Sequence, residues 1–540
     1  MLIAIATTCA CNKSAPNSAK ATNAPKEIGP PPKLELNLDL ENVVGTIDDL
    51  CYGINSPLIP EAPVRRIGGN RLTGYNWENN SSNAGTDSEN VSDRWLNKLI
   101  GLRNKDNQPA AFIIKTVEHD QSESADSMVT VPLAGFVSAD ATGEPVSWGD
   151  TAPSKRWAKV EPVKPGGDFG APDLGDGKVY VDEEVAWLVS KFGSASEGGI
   201  KYYSLDNEPG YWSTTHPRLH PKKASYEEVA NKSIETADAI LAVDPDAKIV
   251  GPALYGWFAH TSLQKAPDHN RFNKKHKNFS AYYLSRMRDA SEAKGKRLLH
   301  LFDFHWYPEA TGGGHRIAFG GSQDSILPGV VAARLQAPRS LWDPTYVEDS
   351  WITKEYGNTP IELIPRMQKI IEKNYPGTRL AILEYHYGAP HHFSGGLATA
   401  DVLGIFGRYG VAGCQWSVND NNRYEKAAFR LYLNYDGKGS SFEENAIGIS
   451  STAPQHESIY AACSEDKKTV TIVLINKQSD QSLEKQIRLQ SIEGVPAVRA
   501  FRLGTDSSSI QEVTEDFSSI EGGLDIKCPP HSATLVELKF

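Results

Sequence analysis

Two stretches each end an apolar run on a glutamate. The first reads Ser204-Leu205-Asp206-Asn207-Glu208-Pro209, and the second reads Leu380-Ala381-Ile382-Leu383-Glu384-Tyr385. A carboxylate that abruptly closes a buried strand is costly unless a cleft uses it. Pro209 cannot extend a ladder, so the first strand stops there. Two carboxyl groups held about 5–5.5 Å apart can cleave a glycosidic bond with retention. One protonates the leaving oxygen while the other attacks or stabilises the oxocarbenium-like carbon. Repulsion between them raises one pKa and keeps that group protonated near neutral pH. On this reading Glu208 is the acid/base and Glu384 the nucleophile.

Other residues at run ends suit a sugar. Asn207 can bond a hydroxyl beside the reacting carbon, and His305 can bond a hydroxyl or tune a glutamate. Trp77, Trp212, Trp306, Tyr307, Tyr385 and Trp416 supply aromatic faces on which pyranose rings stack. Arg71 lies in the polar loop Gly68-Gly69-Asn70-Arg71 to Tyr75-Asn76-Trp77-Glu78-Asn79-Asn80 and can pair a catalytic carboxylate; a purely structural loop is the plain alternative. Asp173, Asp176, Asp182 and Glu183 crowd a helix start. Negative charge favours that position by itself, and hard oxygen donors there can also hold Ca²⁺. The chain lacks His-Glu-x-x-His, a phosphate loop and a dinucleotide fingerprint.

These residues require a scaffold that gathers distant strand ends. Eight short apolar runs read as strands: Cys51–Asn55, Val64–Gly68, Ala110–Val117, Ile200–Leu205, Lys248–Ala253, Leu298–His305, Arg379–Leu383 and Val411–Trp416. Several are continuously apolar, as strands covered on both faces should be. Helical spacing marks Tyr226–Val243, Phe279–Lys294 and Ile361–Asn374; Ser225 and Glu228 form a capping-box pattern ahead of the first. The pattern predicts a (β/α)₈ barrel over 48–430, with its chemistry at the C-terminal strand ends. After about residue 430 the period becomes two. Thr469–Ile475, Lys485–Gln490, Val498–Leu503 and Ala533–Leu538 predict a β-sandwich over 431–540. Leu34, Leu36, Leu38 and Leu40 alternate with polar residues, so 34–47 is expected to add a strand to that sandwich.

Leu2–Ala10 is a short apolar run ending near Cys9 and Cys11. It reads as an export segment over 1–11 with a lipoprotein-like processing site at Cys11, although the usual basic start is missing. Residues 12–33 form a Pro-, Ala- and Ser-rich linker. The expected location is outside a bacterial cell or on its surface. A net charge of −11 without a basic stripe argues against nucleic acid as partner. Cys51, Cys414, Cys463 and Cys528 are too widely spaced for a metal motif and read as buried thiols; a Cys463–Cys528 bridge is the weaker alternative.

Several motifs resemble glycoside hydrolase family 44. They are the 68–80 loop continuing through Ser82-Asn83-Ala84-Gly85, Asp206-Asn207-Glu208-Pro209 with Trp212-Ser213 and Thr215-His216-Pro217, and Asp303 with His305-Trp306-Tyr307-Pro308-Glu309. Leu383-Glu384-Tyr385 and Asn434-Tyr435-Asp436-Gly437-Lys438-Gly439 complete the set. The resemblance implies retaining endo-hydrolysis of β-1,4-glucans, cellulose-type or xyloglucan, without a catalytic cofactor. It places the acid/base on Glu208 and the nucleophile on Glu384, and it implies a structural Ca²⁺ matched best by Glu78, Asp173 and Asp176. The sequence departs from the family at His386 and at Pro390-His391-His392, next to the second glutamate. A monomer is expected. The competing classes are a non-catalytic glycan-binding lipoprotein on the same fold and a metal-dependent hydrolase.

Overall fold

The computed structural model describes residues 34–55, 59–103, 107–319, 323–416, 421–449, 451–490 and 494–540. The expected export segment and linker, 1–33, lie outside the described residues. Eight parallel strands close into a barrel. In chain order they are Gly53–Ile54, Val64–Ile67, Asp126–Val131, Tyr202–Leu205, Lys248–Leu254, Leu301–Phe304, Arg379–Tyr385 and Ala412–Gln415. Met128, Val250, Leu301, Ala381, Leu383, Ala412 and Cys414 pack as one cluster inside the ring. These small and mid-sized side chains fill the barrel's lower interior, so the structure is a packed core and not a pore.

Seven of the eight expected strands stand; the third is corrected. Ala111–Ser122 is a helix, and barrel strand three is Asp126–Val131 behind it. The run from Ala110 to Val117 is apolar enough for either state. Its buried residues Ile113, Ile114 and Val117 fall at helical spacing, which decides in favour of the helix. The Tyr226–Val243 helix is capped as expected: the Ser225 side chain accepts from the Glu228 N–H at 3.0 Å.

A seven-stranded and a four-stranded sheet form the second unit. Leu34–Asp39 pairs in parallel with Leu483–Gln490, and Val43–Thr46 pairs with Asn445–Ile447, so the start of the described chain is built into both sheets. Alternation sends Leu38, Ile472, Leu474, Ile487, Leu524, Ile526, Val536 and Leu538 into one core between the sheets. The helix Phe393–Tyr409 joins this unit to the barrel. Asp401 on it meets Lys477 Nζ at 2.7 Å, with both side chains buried. At Gly404 an added Cβ would come within 2.2 Å of the Tyr460 ring, so the helix lies against the sheet at glycine distance. The four cysteines named above are buried and free, which removes the Cys463–Cys528 bridge. Among the described residues no helix is long and apolar enough to cross a membrane.

Candidate active site

The end of barrel strand four is bent out of the sheet. Asp206 (φ 61°) and Glu208 (φ 46°) both adopt left-handed backbone, which costs energy for residues with a Cβ and persists only where surroundings enforce it. Those surroundings are identifiable. The Asp206 carboxylate accepts from Thr73 Oγ1 at 2.6 Å and from the backbone N–H groups of Leu133, Ala134 and Asn207 at 2.5, 2.9 and 2.6 Å. The Glu208 N–H donates to the Ala253 carbonyl at the end of barrel strand five. Trp212 Nε1 donates to the Asn207 carbonyl at 3.1 Å and fixes the turn from outside.

Glu208, His305 and Glu384 meet above the barrel core. One ligand atom of each lies within 4.8 Å of the others, and among the described residues they are the one such group of three His, Cys, Asp or Glu. His305 Nδ1 lies 3.0 Å from Glu208 Oε1 and 3.5 Å from Glu384 Oε2, and its other ring nitrogen is 3.4 Å from buried Asp303. Glu384 is held by two further donors: Arg66 Nη1 on Oε1 at 2.7 Å and Tyr307 Oη on Oε2 at 3.0 Å. The second Arg66 nitrogen donates to Asn207 Oδ1 at 3.2 Å, and Asn207 Nδ2 donates to Asn70. One guanidinium therefore ties strand two to strand seven and to the residue before Glu208.

The electrostatics separate the two glutamates. Burial pushes the Glu208 carboxyl above the usual range; His305 opposes that shift and the Glu384 charge adds to it. Burial by itself would lower the His305 pKa, but Glu384, Asp303 and Glu208 outweigh it and bring it to about 10. The imidazole is then a cation at neutral pH, placed between the two glutamates. A metal ion bound by this trio would compete with that cation and with Arg66 for the same negative charge. Arg66 and Tyr307 already hold the two Glu384 oxygens, an arrangement that orients a nucleophile.

Sequence-expected residues divide into those in the site and those behind it. Asn207, His305 and Tyr307 contact the glutamates or their partners. Trp416 is half-buried at the end of barrel strand eight, its backbone N–H on the Tyr385 carbonyl. Trp77, Trp212, Trp306 and Tyr385 are corrected: each is at most 2% exposed and packs as core, so none offers a face to a sugar. Trp77 leans on Trp187, Tyr385 meets Phe406 edge-on, and the Trp306 backbone N–H donates to the Glu384 carbonyl. Arg71 is also corrected. It pairs with Asp93 and lies over Trp95, while the carboxylate-pairing role falls to Arg66. Arg66 carries a signal the sequence reading passed over, since two arginines inside a buried four-residue strand demand partners.

The neighbouring Gly68-Gly69 has a matching reason. A Cβ at Gly68 would fall 2.3 Å from Arg66 Nη1, and one at Gly69 (φ 90°) 2.8 Å from the Trp416 ring. Much of the polar loop that follows is structural: Asn76, Asn80 and Asn83 each donate to a backbone carbonyl. Tyr211 and Tyr255, stacked at 3.6 Å between centroids, were not anticipated. His386 does not face the cleft. It is buried and meets Glu425 on the helix Arg423–Leu433 at 3.0 Å, so this departure leaves the substrate surface untouched.

Glu78 is buried, and Asp173 and Asp176 are exposed on a nearby loop. Burial first, then the charges of Glu183, Asp176 and Asp173, raise the Glu78 carboxyl to about 8. Lys164 pairs with Glu183 and offsets part of that field. Glu184 beside it is buried with both oxygens unpartnered and also raised to about 8 by burial and by Glu78. Asp173 and Asp176 accept from the Gly175 and Lys178 N–H groups of their own loop, and Glu78, Asp173 and Asp176 do not converge within 4.8 Å of one another, so the carboxylates expected to hold a Ca²⁺ are not gathered into a site.

Known proteins resemble this chain over nearly its whole length. The family model "Glycoside hydrolase family 44" matches residues 72–310. Endoglucanase A of Paenibacillus lautus is 44% identical over 504 residues, covering 92% of this chain and 70% of that protein. A β-mannanase/endoglucanase A of Caldicellulosiruptor saccharolyticus is also 44% identical, over 86% of this chain but 35% of its own length. The structure of a Paenibacillus polymyxa family 44 xyloglucanase with xyloglucan superposes with a TM-score of 0.88 at 38% identity, over 93% of this chain and 99% of that one.

Proposed function

The chain belongs to glycoside hydrolase family 44 and is a glycoside hydrolase; on that premise we propose that it is a retaining endo-β-1,4-glucanase whose pair is Glu208 and Glu384. The carrying observation is the approach of the two carboxyl groups to within 4.8 Å around His305, in unequal surroundings. That spacing supports direct attack by one carboxylate, since an inverting pair needs room for a water between them. Glu208, whose carboxyl burial keeps protonated further up the pH scale, gives its proton to the leaving glycosidic oxygen. Glu384, oriented by Arg66 and Tyr307, attacks the anomeric carbon as that bond breaks. Glu208 then takes a proton from water, which displaces Glu384 and restores both groups.

The names of the relatives support a β-1,4-glucan backbone, with xyloglucan the foremost candidate. A polymer of that size does not cross a bilayer, which agrees with reading 1–11 as an export and lipid-anchoring segment. A structural Ca²⁺ on Glu78, Asp173 and Asp176 would require the exposed loop that carries the two aspartates to close onto Glu78.

The test incubates wild type, Glu208→Gln and Glu384→Gln with xyloglucan and with mixed-linkage glucan, and follows the new reducing ends by NMR. Wild type should release oligosaccharides whose first-formed anomer is β, and both variants should lose at least about a thousandfold in rate. Binding without any release would instead identify the glycan-binding protein. Release of the α anomer first would overturn double displacement.

A further inference from the structure

The loop after barrel strand three presents an aromatic ring that the cleavage site does not use. Trp148 is 66% exposed, an unusual place for so large an apolar ring. The ring is nevertheless fixed. The Arg218 guanidinium carbon lies 3.4 Å from the ring centroid, and Arg218 Nε donates to the Val146 carbonyl at 3.0 Å. Thr151 Oγ1 donates to the Trp148 carbonyl, and the Ala152 N–H donates to the Arg218 carbonyl. One face of the indole is covered and the other is open. A rigid, flat apolar face of this kind suits the C–H face of a pyranose ring.

Beside it runs a groove of about 550 Å³ whose walls include Ala152 and His220, close in sequence to Trp148 and Arg218. Several of its charges are paired: Lys159 with Glu161 at 2.6 Å, and Glu228 with both Lys232 at 2.8 Å and His220 at 3.0 Å, while Lys222, Lys223 and Glu235 also line it. With lysines and glutamates interspersed along its walls, the groove offers hydrogen bonds of both signs, which suits a neutral polyhydroxyl chain. Leu133 and Ala134 also line it, and their N–H groups bind the Asp206 carboxylate two residues before Glu208. The groove therefore lies behind the strand end that carries the acid/base, on the barrel face where the polymer arrives.

We propose that Trp148, stacked on Arg218, and this groove form a second binding site for the β-glucan, holding a stretch of polymer outside the cleavage site. The identity of the polymer rests on the proposed function. The experiment compares wild type, Trp148→Ala and Trp148→Phe on soluble xyloglucan and on a short cello-oligosaccharide. Retardation in xyloglucan-containing gels is measured in the Glu384→Gln background. Trp148→Ala should raise KM on the polymer about fivefold at unchanged kcat, reduce gel retardation, and leave the oligosaccharide kinetics alone; Trp148→Phe should restore most of the loss. Unchanged polymer KM and retardation in an active Trp148→Ala overturn the second site alone. Equal losses of kcat on polymer and oligosaccharide also overturn it, because Trp148 would then serve the cleavage site or the fold. A wild type that cleaves no β-glucan overturns both this site and the proposed function.

Discussion

Arg66 Nη1 lies 2.7 Å from Glu384 Oε1, with the arginine side chain wholly buried and the glutamate side chain 6% exposed. This pair joins barrel strands two and seven directly beneath the space where a sugar would react. Removing one partner of such a pair leaves the other charged without compensation, at about 3–5 kcal/mol. Arg66→Ala should lose that much stability in urea unfolding and also lose most activity. Arg66→Lys restores the charge but cannot reach Glu384 and Asn207 together, so it should recover stability better than kcat.

His305 sets the alkaline limit of activity through Glu208. Its hydrogen bond and charge lower the Glu208 pKa against the effect of burial. His305→Asn should therefore move the alkaline limb of kcat/KM to higher pH while reducing the maximum, because Glu384 loses a neighbouring positive charge too. An alkaline limb that stays in place or moves down would remove Glu208 from the acid role. His305 also has a stability signature. Its folded-state pKa, about 10, exceeds its ordinary value of 6.5, so its contribution is complete below about 6.5 and is lost as pH rises through 10.

The two kinds of tryptophan at the strand ends should separate kinetically. Trp212 is buried and bonds the Asn207 carbonyl, so Trp212→Phe should lower kcat by about tenfold with little change in KM. Trp416 is half-buried at the site, against Gly69. Trp416→Ala should act mainly on KM, and equal effects from both substitutions would contradict the division.

Glu184 makes the fold sensitive to alkali. Burial, and then the Glu78 charge, raise its carboxyl from 4.5 to about 8. The raised value favours the fold only while the group is protonated: the contribution is full below about 4.5 and is lost as pH rises through 8. Glu184→Gln, which removes an unpartnered buried charge, should raise stability at pH 9 by on the order of 3 kcal/mol. Chelation should lower Tm above pH 8 without changing kcat at room temperature, and Glu78→Gln should abolish that effect. Loss of kcat on chelation at an unchanged Tm would point to a catalytic ion instead.

The order of barrel strands was legible because strands covered by helices must be nearly continuous in apolar residues, and the two glutamates interrupt that pattern. The third strand was misread because a short apolar run is ambiguous in period, and Ile113, Ile114 and Val117 resolve it only once their burial is known. Trp77, Trp212, Trp306 and Tyr385 were assigned to the cleft by position alone. Sequence position gives the strand end but not the direction of the side chain beyond it.

Residue type and spacing by themselves determined the fold class, the candidate pair Glu208 and Glu384, and the addition of the strand at 34–39 to the sandwich. Tertiary structure alone decided which groups surround that pair. Arg66, Asp303 and Asp206 act across strands far apart in sequence, and their partners exist only when the barrel closes. His386 shows the converse, since a residue two positions from Glu384 turns away to Glu425. Hydrophobic period is a local property of the chain. Charge pairing in a closed barrel is a property of its circumference, and no local window contains it.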